Sequence, residues 1–91
     1  MREREVEKFL YEVVTKSHQG LCLKLKDYVG IPDRLVVLPN GHIFFVEVKQ
    51  PEGRVSKEQE FIHQWLHSMK QRLYVVKTKS EVQEMIWKEL K

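Results

Sequence analysis

Two apolar runs, "DRLVVL" and "HIFFVEVK", meet across Pro39-Asn40-Gly41. Val, Ile and Phe suit strands, and Asn-Gly is the pair that a tight hairpin turn favours. Residues 33–38 and 42–49 are therefore expected to be antiparallel neighbours. "SKEQ" at 56–59 then reads as a capping box, in which Ser56 caps a helix and Gln59 reaches back. That helix carries Phe61, Ile62, Trp65, Leu66 and Met69 on one face. A further strand-like run, "RLYVVK" at 72–77, follows it. A helix between successive strands of one sheet implies a right-handed parallel crossover. A hairpin followed by such a crossover points to a mixed sheet with helices packed on it.

The flanks extend this order. Val6, Phe9, Leu10, Val13 and Val14 form one apolar stripe, so residues 3–19 read as a helix that Gly20 stops. In "LCLKLKDY", Leu21, Leu23 and Leu25 alternate with Cys22, Lys24 and Lys26, which predicts a strand with the leucines inward and one wet face. "SEVQ" at 80–83 repeats the capping pattern and opens a last helix with Val82, Met85, Ile86 and Leu90 inward. Trp65 and Trp87 fall at positions compatible with a core. The expected order is αβββαβα: an α/β fold with a mixed four-stranded sheet flanked by helices.

Ninety-one residues make one domain, 1–91. At 42% apolar and 32% charged residues, the chain can build a core and is not of the disordered class. Cys22 is the only cysteine, which excludes an intrachain disulfide and a cysteine-rich zinc site, and suits a reducing cytoplasm. The N-terminal "MREREVEKFL" has no long apolar stretch, so neither a signal peptide nor a membrane span is expected. The net charge of +3 is compatible with a polyanionic partner without identifying one.

The polar residues inside the strands carry the chemistry. Side chains alternate along a strand, so Glu47 and Lys49 share a face with Ile43 and Phe45. A crossover helix covers an interior strand, and an ionised pair there must be paired, hydrated or bound to something. With the turn centred near Asn40 and Gly41, Asp33 is brought close to Glu47 and Lys49. Two carboxylates and a lysine at a strand end suit Mg²⁺, which takes one or two carboxylates and keeps waters and substrate phosphate. Such a cation acidifies a bound water, and the lysine can orient that water or neutralise a phosphodiester. The alternative for the same residues is an ion pair that fixes the hairpin register.

"PD" at 32–33 and "EVK" at 47–49, together with the αβββαβ order, resemble the PD-(D/E)xK phosphodiesterase superfamily. Within it, "GIPDRLVVLPNGHIFFVEVKQPEGRVSKEQ" is similar to the small stand-alone VRR-NUC (virus-type replication-repair nuclease) domains. The resemblance implies Mg²⁺-dependent cleavage of nucleic acid, with Mn²⁺ as a substitute. It implies Asp33 and Glu47 as metal ligands, the Val48 carbonyl as a third, Lys49 as the catalytic lysine and Gln59 beside the site. His63 matches a common neighbour of that glutamine. The family also uses a glutamate of the first helix: Glu3 borders the apolar stripe and is the expected residue, with Glu7 next.

Lys24, Lys26, Arg34, Arg54, Lys57 and His63 are the expected nucleic-acid contacts, positioning a backbone without reading sequence. His63 and His67 have a spacing that zinc can use, but no third ligand is evident. One small subunit has one centre and little grip on a duplex, so a two-fold homodimer is expected. Small members of the family resemble Holliday-junction resolvases of DNA repair and recombination, which makes four-way DNA junctions the preferred substrate. Flaps, nicks or DNA ends are the enzymatic alternative. A non-cleaving DNA-binding module that needs a partner is the other. A phage or mobile-element protein acting in a host cytoplasm fits the resemblance.

Overall fold

The computed structural model describes residues 2–91. Its elements are α1 (Glu3–Glu12), a π-helical turn (Val13–Ser17), β1 (Leu21–Lys24), β2 (Arg34–Val37), β3 (Ile43–Val48), α2 (Lys57–Ser68), β4 (Leu73–Val76) and α3 (Lys79–Glu89). The four strands form one sheet in the order β1-β2-β3-β4. β1, β2 and β3 are antiparallel neighbours, and β4 runs parallel to β3 after the α2 crossover. The expected mixed sheet is therefore present. Among the described residues, no helix is long and apolar enough to cross a membrane.

One face of the sheet is closed by two helices. Val6 and Leu10 of α1, Val14 of the π-turn, and Val82, Met85 and Ile86 of α3 meet Val36, Phe44, Val46, Val48 and Val76 in a single buried cluster. Phe44 is fully buried, with Tyr74 edge-on at 5.5 Å. The other face carries α2 alone, which buries Ile62 and Leu66 and leaves Phe61, Trp65 and Met69 half-exposed or more. The α2 face inferred from spacing is thus split into an inward and an outward stripe. Trp65 and Trp87 are both exposed and fill no core position.

Several local expectations change. The first helix is α-helical only to Glu12, because the Thr15 hydroxyl donates to the Tyr11 carbonyl and the last turn widens to π. Gln19, at φ 54°, is the left-handed residue that ends it. In β1, Cys22 is the buried residue, and Leu21 and Leu23 face outward. The strand alternates as expected but with the opposite face inward. The hairpin loop has three residues, with Gly41 at φ 92°, and Leu38 N donates to His42 O across it. Thr78, not Ser80, caps α3 through Glu81 N, and Leu90 is exposed.

At the hairpin end of the sheet lies a buried acid that composition and spacing do not reveal. The Glu89 carboxylate accepts from Arg72 Nε (2.7 Å) and Nη2 (2.8 Å), from Tyr74 OH, and is 2.9 Å from His42 Nδ1. Its main-chain carbonyl accepts from Asn40 Nδ2. Burial alone would raise this carboxyl, but the hydrogen bonds from Arg72, Tyr74 and His42 outweigh it and hold it below its usual range.

Candidate active site

The opposite end of the sheet, where β2 begins and β3 ends, gathers the other polar side chains. Arg34 pairs with Val46, so the preceding Asp33 stands opposite Glu47. Lys49 N donates to Val76 O of β4. Alternation then turns the Val48 amide and carbonyl the other way, toward the start of β2. Asp33 Oδ2 fills that side and accepts from Val48 N at 2.8 Å. The turn before it is held by buried Pro32 and by Gly30 at φ 85°.

Gly30 is required on two counts. Its conformation is one that other residues adopt at a cost, and a Cβ there would lie 2.4 Å from the Glu58 carbonyl oxygen. The loop that carries Asp33 is therefore pressed onto the first turn of α2. Gly30→Ala is expected to destabilise the fold by roughly 2–4 kcal/mol in urea melts. Faster hydrogen exchange at the Val48 amide should accompany it, because Asp33 moves with the loop.

Glu47 is the buried member of the pair, 2% exposed. Its Oε2 accepts from Gln59 Nε2 at 3.0 Å and lies 3.6 Å from Lys49 Nζ. Its Oε1 is buried with no hydrogen-bond partner. Gln59 also accepts from Ser56 N through Oε1 (2.9 Å), and its own N–H is capped by Ser56 Oγ. One amide thus closes the capping box with its oxygen and holds the site acid with its nitrogen. Burial, and then the nearby Asp33 charge, push the Glu47 carboxyl up to about 7 against the lowering pull of Lys49.

His63 is buried one turn beyond Gln59, and its Nε2 likewise has no partner. Burial, His67 and Lys49 all lower its pKa, so the ring is neutral at pH 7. It is a group of the site's interior, not of the surface that would meet a backbone.

The orphaned Glu47 Oε1 beside Asp33 fits a cation, since an unpartnered buried carboxylate oxygen otherwise costs free energy. Two carboxylates and the Val48 carbonyl suit a hard divalent ion that keeps several waters. Among the described residues, no group of three His, Cys, Asp or Glu side chains is placed to share a metal. Neither Glu3 nor Glu7 of the first helix is grouped with Asp33 and Glu47 in this way. Glu3 is exposed on the first turn of α1. Glu7 is taken by Arg34, whose Nε donates to it at 2.8 Å.

Arg34 is correspondingly committed. It also donates to Cys22 O and stacks over Tyr11, and it is largely buried. It braces β2 against α1 and presents no free cation. Lys24, Lys26, Arg54 and Lys57 are exposed. A groove of about 330 Å³ between α1 and β1 adds Arg4 and Lys8 beside Lys24. Those two cations escaped the sequence reading because a charged helix face looks like ordinary solvated surface.

With this geometry in place, the chain can be set beside known proteins. A solved structure described as "VRR_NUC domain" superposes with a TM-score of 0.85 at 32% identity, covering 92% of each chain. A curated protein, "Putative nuclease p44" of Acyrthosiphon pisum secondary endosymbiont phage 1, is 37% identical over 78 residues, covering 84% of this chain and 83% of that protein. No family model matches the sequence.

Proposed function

Because this chain belongs to the VRR-NUC family, we propose that it is a Mg²⁺-dependent DNA endonuclease of the PD-(D/E)xK type. Its centre is Asp33, Glu47 and Lys49. It works as a homodimer on branched DNA, with the four-way junction as preferred substrate. The nuclease class follows from the family, and the finer reading rests chiefly on one observation. Glu47 holds a buried, unpartnered oxygen next to Asp33 while its other oxygen is tied to Gln59 and Lys49. An ion pair serving only the hairpin register would not leave that oxygen orphaned.

Asp33, Glu47 and the Val48 carbonyl are the groups that would hold the cation. Bound there, a divalent ion lowers the pKa of a coordinated water and offsets charge on the scissile phosphate. Lys49 Nζ, at the mouth of the site, orients the attacking water and neutralises the phosphate oxygen on which charge builds. Gln59 holds Glu47 through Oε2, which leaves Oε1 as the oxygen that would be available to a cation. Lys24, Lys26, Arg54 and Lys57 are exposed cations that suit phosphate contacts, which makes binding fall steeply with salt.

The raised Glu47 carboxyl gives this reading a pH signature. A cation needs Glu47 ionised, so Mg²⁺ or Mn²⁺ affinity should climb about tenfold per pH unit up to about 7 and level off above it. Without metal the sign is opposite. A carboxyl raised in the folded state contributes stability that is fully present below its usual 4.5 and is lost as pH rises through 7. The metal-free protein should therefore lose on the order of 2–3 kcal/mol across that window. Calorimetric titration of Mn²⁺ at pH 5.5, 6.5 and 8 reads the first effect, and a flat affinity would count against a Glu47-centred site.

Substrate preference is tested with labelled four-way junctions, flaps, nicked duplexes and linear duplexes of equal length. Junctions should be cut first, at paired positions. Equal or faster cutting of linear duplex would overturn the junction assignment and leave the nuclease centre standing.

A further inference from the structure

The loop between β1 and β2 is tied at its neck, where Leu25 N donates to Asp33 O at 2.9 Å. Residues 25–33 thus form a closed loop that ends on the site aspartate. Within it Ile31 N donates to Tyr28 O, and Gly30 presses the loop onto Glu58 and Ile62 of α2. That contact sets Tyr28 beside the outward stripe of the helix, and two clefts have Tyr28 and Ile62 as common walls. One, of about 160 Å³, is completed by Ile31, Trp65, Leu66 and Met69. The other, of about 390 Å³, is completed by Val29, Lys57, Glu58 and Phe61. All three rings stand in solvent: Tyr28 is 57% exposed, Phe61 65% and Trp65 48%. Phe61 and Trp65 are a tilted pair with centroids 6.0 Å apart. Core packing does not account for a grouped set of exposed aromatics.

We infer that Tyr28, Phe61 and Trp65 form a stacking platform for an unstacked nucleobase of the DNA substrate. This rests on the DNA-nuclease reading above and supplies a physical source for its preference for branched DNA. In a linear duplex the base faces are hidden in the stack, whereas a base at a branch point is cheaper to expose. Aromatic rings beside a cation hold such a base whatever its identity, because every base has a π-face. Lys57, exposed on the first turn of α2, is that cation and meets a phosphate of the same strand. Glu58, in the same cleft, can accept from an exocyclic amino group of the base. The placement relative to the centre also fits. α2 holds Glu47 through Gln59 on its inner stripe and carries the rings on its outer one. A helix is about 10 Å across and phosphates along a strand lie about 3.4 Å apart, so the platform is roughly three nucleotides from the centre. A second subunit is the poorer occupant. At about 200 Å² per side chain the exposed parts of the rings present roughly 350 Å². That is less than half of the ~800 Å² per partner that a stable interface needs.

The test uses the full chain without metal, so that DNA is bound and not cut. Fluorescence anisotropy reads affinity for a four-way junction, a thymine single strand and a linear duplex. Tyr28→Leu and Phe61→Leu keep apolar bulk and remove a ring, and Tyr28→Phe keeps the ring. Circular dichroism and light scattering on the same samples report fold and subunit number. Tyr28→Leu and Phe61→Leu should each weaken single-strand binding at least about fivefold and lower the preference for junction over duplex by a similar factor. Tyr28→Phe should match wild type. In a Trp87→Phe background, the single strand should quench the fluorescence of Trp65. Ring-removing variants with wild-type affinity and preference would refute the platform. So would ring-removing variants that change subunit number and regain wild-type DNA binding at higher protein concentration, since the rings would then serve a contact between subunits. A wild type that binds none of the three DNAs would overturn the nuclease reading itself.

Discussion

Lys49→Ala, Asp33→Ala and Glu47→Gln should each lose DNA cleavage by a factor on the order of 10³ or more while remaining folded. The three fail for different reasons. Asp33→Ala removes one cation ligand and also frees the Val48 amide that its carboxylate holds. Glu47→Gln keeps the shape but removes the charge, and its oxygen can still meet Gln59. Lys49→Ala removes the ammonium 3.6 Å from Glu47 Oε2 and should leave metal binding in place. Residues acting as a unit are not additive, so a double variant should be little worse than the worse single one. Loss of folding is a poor explanation for Glu47→Gln in particular. Removing a buried carboxylate should raise the metal-free melting temperature at pH 8. Supercoiled plasmid or labelled junctions with Mg²⁺, next to melts of the same samples, separate the two effects. Three variants that cut as well as wild type would dissolve the assignment.

The largest effect on stability is expected far from that centre. Glu89 is 3% exposed and is the common acceptor for Arg72, Tyr74 and His42. Glu89→Ala strands all three donors and should lower stability by about 2–4 kcal/mol, discounted because Arg72 is half in solvent. That is a large share of what a domain of this size has. Glu89→Gln keeps part of the hydrogen bonding and should cost about half as much. A carboxyl held below its usual value contributes stability that is present above 4.5 and is lost as pH falls through its folded pKa. Urea melts should therefore show the Glu89→Ala gap in full at pH 7 and narrowing steadily under acid. A gap that is unchanged under acid would mean that packing, and not the charge, is what Glu89 supplies.

The two polar clusters differ in how far the sequence disclosed them. The Asp33–Glu47–Lys49 group was legible because a hairpin links it. Period-two alternation puts Glu47 and Lys49 on one face, and the turn position sets Asp33 opposite. Gln59 was legible through its capping box, and its second bond to Glu47 uses an atom that the cap leaves free. Glu89 was hidden because its partners come from the hairpin loop and β4, and no local spacing connects them. The inward face of β1 was misread for a related reason. Alternation gives two faces but not which is buried, and the leucines point into the half of the sheet that no helix covers. Glu7 was a plausible ligand on a helical wheel, and in the fold its carboxylate is paired with Arg34. Ser80 lost the cap to Thr78 because both lie within reach of the same helix start.

The folded geometry also narrows what the basic residues do. Arg34 follows the motif aspartate and looks like a phosphate ligand in sequence. Its place under Tyr11 and against Glu7 makes it a brace between α1 and β2. Of the exposed cations, Lys24 lines the α1–β1 groove together with Arg4 and Lys8.

The central claim is that Asp33, Glu47 and the Val48 carbonyl hold a divalent cation. Anomalous diffraction from crystals grown with Mn²⁺ at pH 8 tests it most directly. One strong peak bounded by those three groups, absent in Glu47→Gln crystals, is the expected result. A Mn²⁺ peak elsewhere, or none at this end of the sheet in a protein that still cuts DNA, would contradict it.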